Sequence, residues 1–297
     1  MDLDAALLRS LAAGRERRAR AISDLITRGA SVNATDEHGF TALMFVAFEG
    51  DTDTVNLLAG THNANVDAAE ENGITALMIA AGNGHTDTVN ALAGTYNANV
   101  EAVDRYGRTA LMLAAKDGPG HTDTVNALVG THGANVEAVD ENGATALMIA
   151  AENGHTATVN ALAGTHHANV EAVDLGGHTA LMCAALHGHA DTVSALVRTH
   201  NANVDAVDEL GMTARFYAEL TGVPLGDATG DNPILLGDDT VLAEPLPCTI
   251  CHEHMPKIRF HPCGHTACRG CSRSIHTRGQ NCHVCRQPIH EMQPLYL

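Results

Sequence analysis

Seven of the chain's eight cysteines lie between residues 248 and 285. With one histidine they read Cys248-x2-Cys251-x11-Cys263-x-His265-x2-Cys268-x2-Cys271-x10-Cys282-x2-Cys285. Thiolates and imidazoles are soft donors, and four of them close a tetrahedron around Zn2+, so eight suit two zinc ions. A closed four-donor site has no position for a reactive water, so these zincs are expected to be structural. The N-terminus, MDLDAALL, has no basic segment followed by a long apolar run, and no stretch reaches the roughly 18 apolar residues of a membrane span. The expected setting is therefore intracellular, cytoplasmic or nuclear, where clustered cysteines mean metal rather than disulfides. His252, His254, His261 and His283 are read as non-ligands, because the eight donors are already complete.

A segment of about forty residues cannot hold itself by apolar burial. Zinc binding supplies its folding free energy, roughly 10–16 kcal/mol per structural ion. What precedes it differs in composition and charge. Residues 1–243 carry 32 Asp and Glu against 11 Lys and Arg, a net of −21; residues 244–297 carry 3 against 6. An acidic body of that size repels nucleic acid and anionic lipid, so neither is expected as a partner.

The acidic part is repetitive. GITALMIAAGNGHTDTVNALAGTYNANVEAVD from Gly73 returns, with changes, from Gly39, Gly107, Gly143 and Gly177. Spacings between Gly39, Gly73, Gly107, Gly143, Gly177 and Gly211 are 34, 34, 36, 34 and 34, the 36 coming from two extra residues in KDGPGH. A fixed period of that size means a stacked solenoid. Within one unit, Thr75 is placed to cap a short helix burying Leu77, Met78, Ala80 and Ala81, which Asn83-Gly84 breaks. Thr86 is expected to cap a second helix with Val89 and Leu92 inward. Asn97, or Gly133 later, suits a left-handed stop. Helices this short are stable only when stacked on neighbours.

The pattern G-x-T-A-L-M-x-A-A-x-x-G-H…A-N-V-x-A resembles the ankyrin repeat. Three departures stand out: Ala follows Thr where Pro is usual, Met follows Leu where His is usual, and each unit has one extra residue near the end of its second helix. The resemblance implies a mainly α fold: an array over 1–220, with an N-terminal cap at 1–38, five full repeats over 39–210 and a partial repeat at 211–220. It implies protein binding through fingers and first-helix faces. Repeated residues are read as architecture: the methionines Met44, Met78, Met112, Met148 and Met182 as a core stack, the histidine slots (His85, His121, His155, His189 and His62, His132, His166, His200) as structural, and Cys183 as a small apolar residue. Positions that vary between units are the candidates for a partner surface: Phe45, Phe48, Arg105, Tyr106, Arg108 and His178, with a surface expected to run through Phe48, Tyr106 and Arg108.

From 221 to 246 periodicity stops and Gly, Pro and Asp dominate, which reads as a flexible linker. The eight donors beyond it, over 247–290, resemble a RING finger in order and spacing. That resemblance implies a cross-braced pairing, with Cys248, Cys251, Cys268 and Cys271 on one zinc and Cys263, His265, Cys282 and Cys285 on the other. It also implies recruitment of a ubiquitin-conjugating enzyme carrying ubiquitin. Ile250 matches the apolar contact of the first zinc loop, Val284 sits in the second, Arg286 matches the residue that hydrogen-bonds both conjugating enzyme and ubiquitin, and Pro288 completes a CRQPI ending. Ile275 stands where many members have Trp, and His283 where Pro is usual.

Together these imply a RING-type ubiquitin transferase acting without a covalent intermediate, since Cys183 is the one cysteine outside the donor set. No residue is assigned as a nucleophile. A protein substrate would dock on the array. The alternative is a non-enzymatic scaffold in which both parts only bind proteins. The tail over 291–297 ends in Leu295, Tyr296 and Leu297, apolar residues resembling the tails through which some RING ligases dimerise; a homodimer through RING and tail is the corresponding expectation.

Overall fold

The computed structural model describes residues 2–11, 15–117, 121–225, 257–259 and 266–268, the last two as backbone strands. The chain forms two compact units, 1–235 and 236–297. The described part is mainly helical.

The first unit opens with α1 (Leu3–Ser10), capped by the Asp2 carboxylate, and α2 (Arg15–Thr27). Helix pairs follow at the sequence period: α3 (Ala42–Phe48) with α4 (Thr52–Asn56), α5 (Ala76–Gly82) with α6 (Thr86–Val89), α7 (Ala110–Lys116) with α8 (Thr122–Asn126), α9 (Ala146–Glu152) with α10 (Thr156–Asn160), and α11 (Ala180–Leu186) with α12 (Ala190–Arg198). A last helix, α13 (Ala214–Thr221), stands without a partner among the described residues. First helices pack on first helices, in the order α3, α5, α7, α9, α11, α13. Each is only seven or eight residues long, below the length at which an isolated helix persists, so stacking is what holds it.

The starts of the first helices follow the expected chemistry. Thr75 Oγ1 accepts from Met78 N at 3.3 Å, and Thr41, Thr109, Thr145, Thr179 and Thr213 do the same in their units. Leu77, Met78, Ala80 and Ala81 are buried, and the five methionines form the expected stack with none above 2 % exposure. Val89 and Leu92 face inward. Gly84 takes φ +70°, while Asn97 and Gly133 take +54° and +70° at the ends of the second helices.

The second helices depart from expectation at their starts. Thr86 does not cap α6; the residue before the helix is His85, which makes no side-chain cap. The Thr86 hydroxyl instead lies 2.7 Å from that of Thr124 in the next unit. The same pairing joins Thr52 to Thr88, Thr122 to Thr158 and Thr156 to Thr192. These hydroxyls satisfy one another across units. Thr88, Thr124, Thr158 and Thr192 are fully buried, where an unpaired hydroxyl would cost about 1–3 kcal/mol.

At the other end, four second helices widen into π turns, Leu57–Thr61, Asn90–Thr95, Ala127–Thr131 and Ala161–Thr165. A π turn absorbs one residue beyond the α-helical count. This is where these four units carry their extra residue, so in them the insertion is taken up inside the helix; α12 of the fifth unit has no π turn.

Two further sets of contacts tie units together. His85 Nε2 lies 2.9 Å from the Phe48 carbonyl, and His155 and His189 reach Lys116 and Glu152 in the same way. His132, His166 and His200 reach Asn90, Asn126 and Asn160 of the preceding unit. His62 reaches Ser23 of the N-terminal cap, so seven of the eight slot histidines hydrogen-bond a preceding element; the His121 Nδ1 is buried with no hydrogen-bond partner among the described residues. Asp51 replaces histidine in the first slot, and the cap answers it: buried Arg18 places Nη1 3.0 Å from Asp51 Oδ2. At the C-terminal end Gly222 stops α13 at φ +75°, and Leu225 is buried on the array, within the stretch expected as linker. The rest of that linker lies outside the described residues.

In the second unit, β1 (Lys257–Arg259) pairs antiparallel with β2 (Thr266–Cys268), with Lys257 opposite Cys268 and Arg259 opposite Thr266.

Candidate functional site

Fingers between helix pairs are short hairpins: Val139 bridges Thr145 and Val207 bridges Thr213. Each is closed by an acidic residue folded onto its own turn. Asp104 Oδ1 accepts from Tyr106 N and Arg108 N, and Asp140, Asp174 and Asp208 repeat the arrangement. Neighbouring fingers are joined by backbone bonds, Arg105 N to Asn72 O at 2.8 Å and Glu141 N to Tyr106 O at 2.9 Å among them. Carboxylates add a second link: Glu101 Oε1 accepts from Asn135 N at 2.7 Å, and Glu137 and Glu171 accept from Asn169 and Asn203.

On this frame the expected partner surface forms separate groups. Phe45 on α3 packs on Phe40 with ring centroids 5.8 Å apart, and Phe48 at the end of α3 is 62 % exposed. Two fingers on, Arg105 and Arg108 place their guanidinium carbons 4.5 and 5.0 Å from the centroid of Tyr106, two cation–π contacts on one ring. Arg108 also pairs with Asp104 at 2.7 Å. Burial alone would raise the Asp104 pKa, but hydrogen bonds from the Arg108 side chain and the finger backbone outweigh it and hold the carboxyl below its usual range.

His178 belongs to a polar network rather than to either group. Its Nδ1 lies 3.1 Å from Asp174 Oδ2 and its Nε2 3.8 Å from Asp208 Oδ2 in the next finger. Tyr217 donates its hydroxyl to the same Asp208, and burial with that contact pushes the Tyr217 pKa up. Cys183, on α11, is half-buried, and burial pushes its thiol up to about 12, with Asp174 and Glu152 adding to the shift. It is a protonated thiol at neutral pH and behaves as the small apolar residue the sequence suggests.

Sequence reasoning missed one row. Val103, Val139, Val173 and Val207 occupy the same finger position and are 54–60 % exposed. They repeat, and repeated residues were set aside as architecture. The signal lay in the alternation of Glu-Ala-Val-Asp within a hairpin limb, which turns Glu and Val outward together. Among the described residues no cluster of three or more His, Cys, Asp or Glu is arranged to hold a metal.

Of the eight expected zinc ligands the structure describes one, Cys268, at the end of β2. Cys248, Cys251, Cys263, His265, Cys271, Cys282 and Cys285 lie outside the described residues. So do Ile250, Ile275, Val284, Arg286, Pro288 and the tail Leu295, Tyr296 and Leu297. The donor set itself fits zinc: seven thiols and one imidazole, with four of the donors closely spaced between 263 and 271.

Comparison with known families agrees with both halves. Models of ankyrin repeats match residues 10–104, 43–140 and 91–174, and a single ankyrin repeat matches 176–209. A zinc finger of C3HC4 type, the RING finger, matches 244–292. No curated protein matches the chain. The stacked helix pairs define a solenoid of the protein-binding class. The chain belongs to the ankyrin-repeat family and carries a C3HC4-type RING finger at its C-terminal end. RING fingers bind zinc. No helix among the described residues is long and apolar enough to cross a membrane.

Proposed function

We propose that the protein is a RING-type ubiquitin ligase whose ankyrin array holds a protein substrate while the RING finger holds a ubiquitin-conjugating enzyme. The observation that carries this reading is a RING-type donor set followed at once by Arg286, on the same chain as a protein-binding array. Two structural zinc ions, bound in the cross-braced pairing, would hold Ile250 and Val284 toward the conjugating enzyme. Arg286, whose guanidinium offers five donors in a fixed fork, would bridge enzyme and ubiquitin.

The chain then contributes orientation. A substrate lysine, as the free amine, attacks the thioester carbonyl at the C-terminus of ubiquitin. The new C–N bond forms, the C–S bond breaks, the conjugating enzyme recovers its thiol, and the nitrogen loses its proton. Restricting the motion of bound ubiquitin raises the rate by pre-paying orientational entropy. No cysteine of this chain need take the ubiquitin, and Cys183, with its raised pKa, is unsuited to do so.

Ile275 and His283 favour a second reading, a scaffold whose RING finger binds without activating. Single-turnover discharge of a charged conjugating enzyme onto free lysine separates the two. The ligase reading expects the full-length protein to accelerate discharge and Arg286→Ala to abolish the acceleration. Equal discharge rates with and without the protein would favour the scaffold.

A further inference from the structure

The exposed valine row follows the long direction of the array. Each finger is a two-limbed hairpin, and adjacent fingers are hydrogen-bonded edge to edge, with Leu175 N to Asn142 O at 2.9 Å and Glu209 N to Gly176 O at 3.0 Å. Hydrogen-bonded limbs lie about 4.8 Å apart, so one finger, and one valine, recurs every ~10 Å. Four valines from Val103 to Val207 span about 30 Å. Leu175, at the tip of the finger that carries Val173, is 70 % exposed. Outward-facing acidic residues stand two positions before each valine, within a region of net charge −21.

That spacing selects a conformation for whatever lies on it. An extended strand covers ~10 Å in three residues, but its side chains alternate, so the third residue points away from the row. A polyproline II helix turns once every three residues and advances about 9 Å per turn, so every third side chain faces the same way. It also exposes its backbone to solvent and is largely preformed, which lowers the ordering cost of binding.

We infer that the valine row binds a polyproline II segment of the partner protein, about ten residues long, with an aliphatic side chain at every third position and lysine or arginine between. This deepens, and rests on, the reading of the array as the substrate-binding part. The aliphatic residues would meet the valines, and the basic residues the flanking carboxylates.

The probe is a labelled twelve-residue peptide of four Pro-Lys-Val triplets, titrated by fluorescence anisotropy into the full-length zinc-loaded protein. A peptide of the same composition in an order without the three-residue period serves as comparison. The periodic peptide should bind about tenfold tighter, weaken as salt rises, and lose about tenfold with the Val139→Ser/Val173→Ser double variant. The two valines are exposed, so the variant should melt like the parent. Equal affinity of the two peptides overturns the inference without need of any variant; so does undiminished binding by the double variant. Self-ubiquitination by the same preparations reports on the RING finger alone. Its loss would count against the ligase reading and leave the row to be judged by the peptides.

Discussion

His132 Nε2 lies 2.9 Å from Asn90 Oδ1, and the contact joins two successive units across the π turn that ends one of them. His132 closes the turn Ala127–Thr131, and its backbone N–H bonds the Ala127 carbonyl five residues back. His166 and His200 reach Asn126 and Asn160 likewise, and in the unit before, Tyr96 reaches Asn56 with its hydroxyl. Where a π turn is present, the extra residue is thus coupled to the bond that holds that unit to its neighbour; His200 makes the same bond after α12, which has no π turn.

These histidines make the array sensitive to acid. Burial lowers the pKa of His132, His166 and His200, and of His121, where nearby His155 and His85 add to the effect and Asp117 opposes it. With folded-state values below the unfolded value of about 6.5, the unfolded chain takes up protons first as pH falls. Stability is full above that value, declines as pH drops through it, and levels off below the folded-state values. The array's melting midpoint should fall between pH 7.5 and 5.5, and His132→Gln/His166→Gln should flatten the decline. Identical pH slopes in parent and variant would contradict this.

Gly154 takes φ +72°, and a Cβ there would lie 2.8 Å from Cγ of His189 in the next unit. Gly133 takes φ +70° with open space around it. Gly133→Ala should cost the strain of the left-handed backbone alone, about 1–2 kcal/mol. Gly154→Ala should cost more, by up to roughly 3 kcal/mol in total, because the ring must also move. Denaturant unfolding of the two variants side by side checks the order; equal losses would remove the histidine ring as the cause.

Much of the array was legible from the chain alone. Met78, Leu92 and Thr75 stand where polarity and capping chemistry put them, because burial of a short helix leaves few choices. Thr86 was misread because a threonine before an apolar run is ordinarily a cap, while its actual partner, Thr124, is 38 residues away and visible only once the units stack. The valine row was hidden by its regularity: in a helix of this array a repeated apolar residue is buried, whereas in a finger limb it alternates outward. The expected zinc ligands rest on spacing alone, and of them only Cys268 falls among the described residues.

Cys183→Ala should leave ubiquitin transfer unchanged. The thiol is pushed up to about 12 and packs against the array, which disfavours it as a nucleophile at neutral pH. The readout is the rate of lysine discharge beside the parent. A loss of more than a few-fold, with zinc content unchanged, would point to a covalent step.

Zinc removal should separate the two parts of the chain. A strong chelator should abolish transfer while leaving the far-ultraviolet helical signal nearly intact, because the described helices belong to the first unit and bury their own core. Metal analysis before treatment should give two zinc ions per chain. Loss of the helical signal together with zinc would contradict the independence of the array.

The most direct measurement is self-ubiquitination by the full-length, zinc-loaded protein with activating enzyme, ATP, ubiquitin and a panel of conjugating enzymes, beside Ile250→Ala at equal zinc content. The ligase account predicts a ladder of modified species that the variant does not form. No ladder with any conjugating enzyme, or an undiminished ladder in the variant, would contradict it.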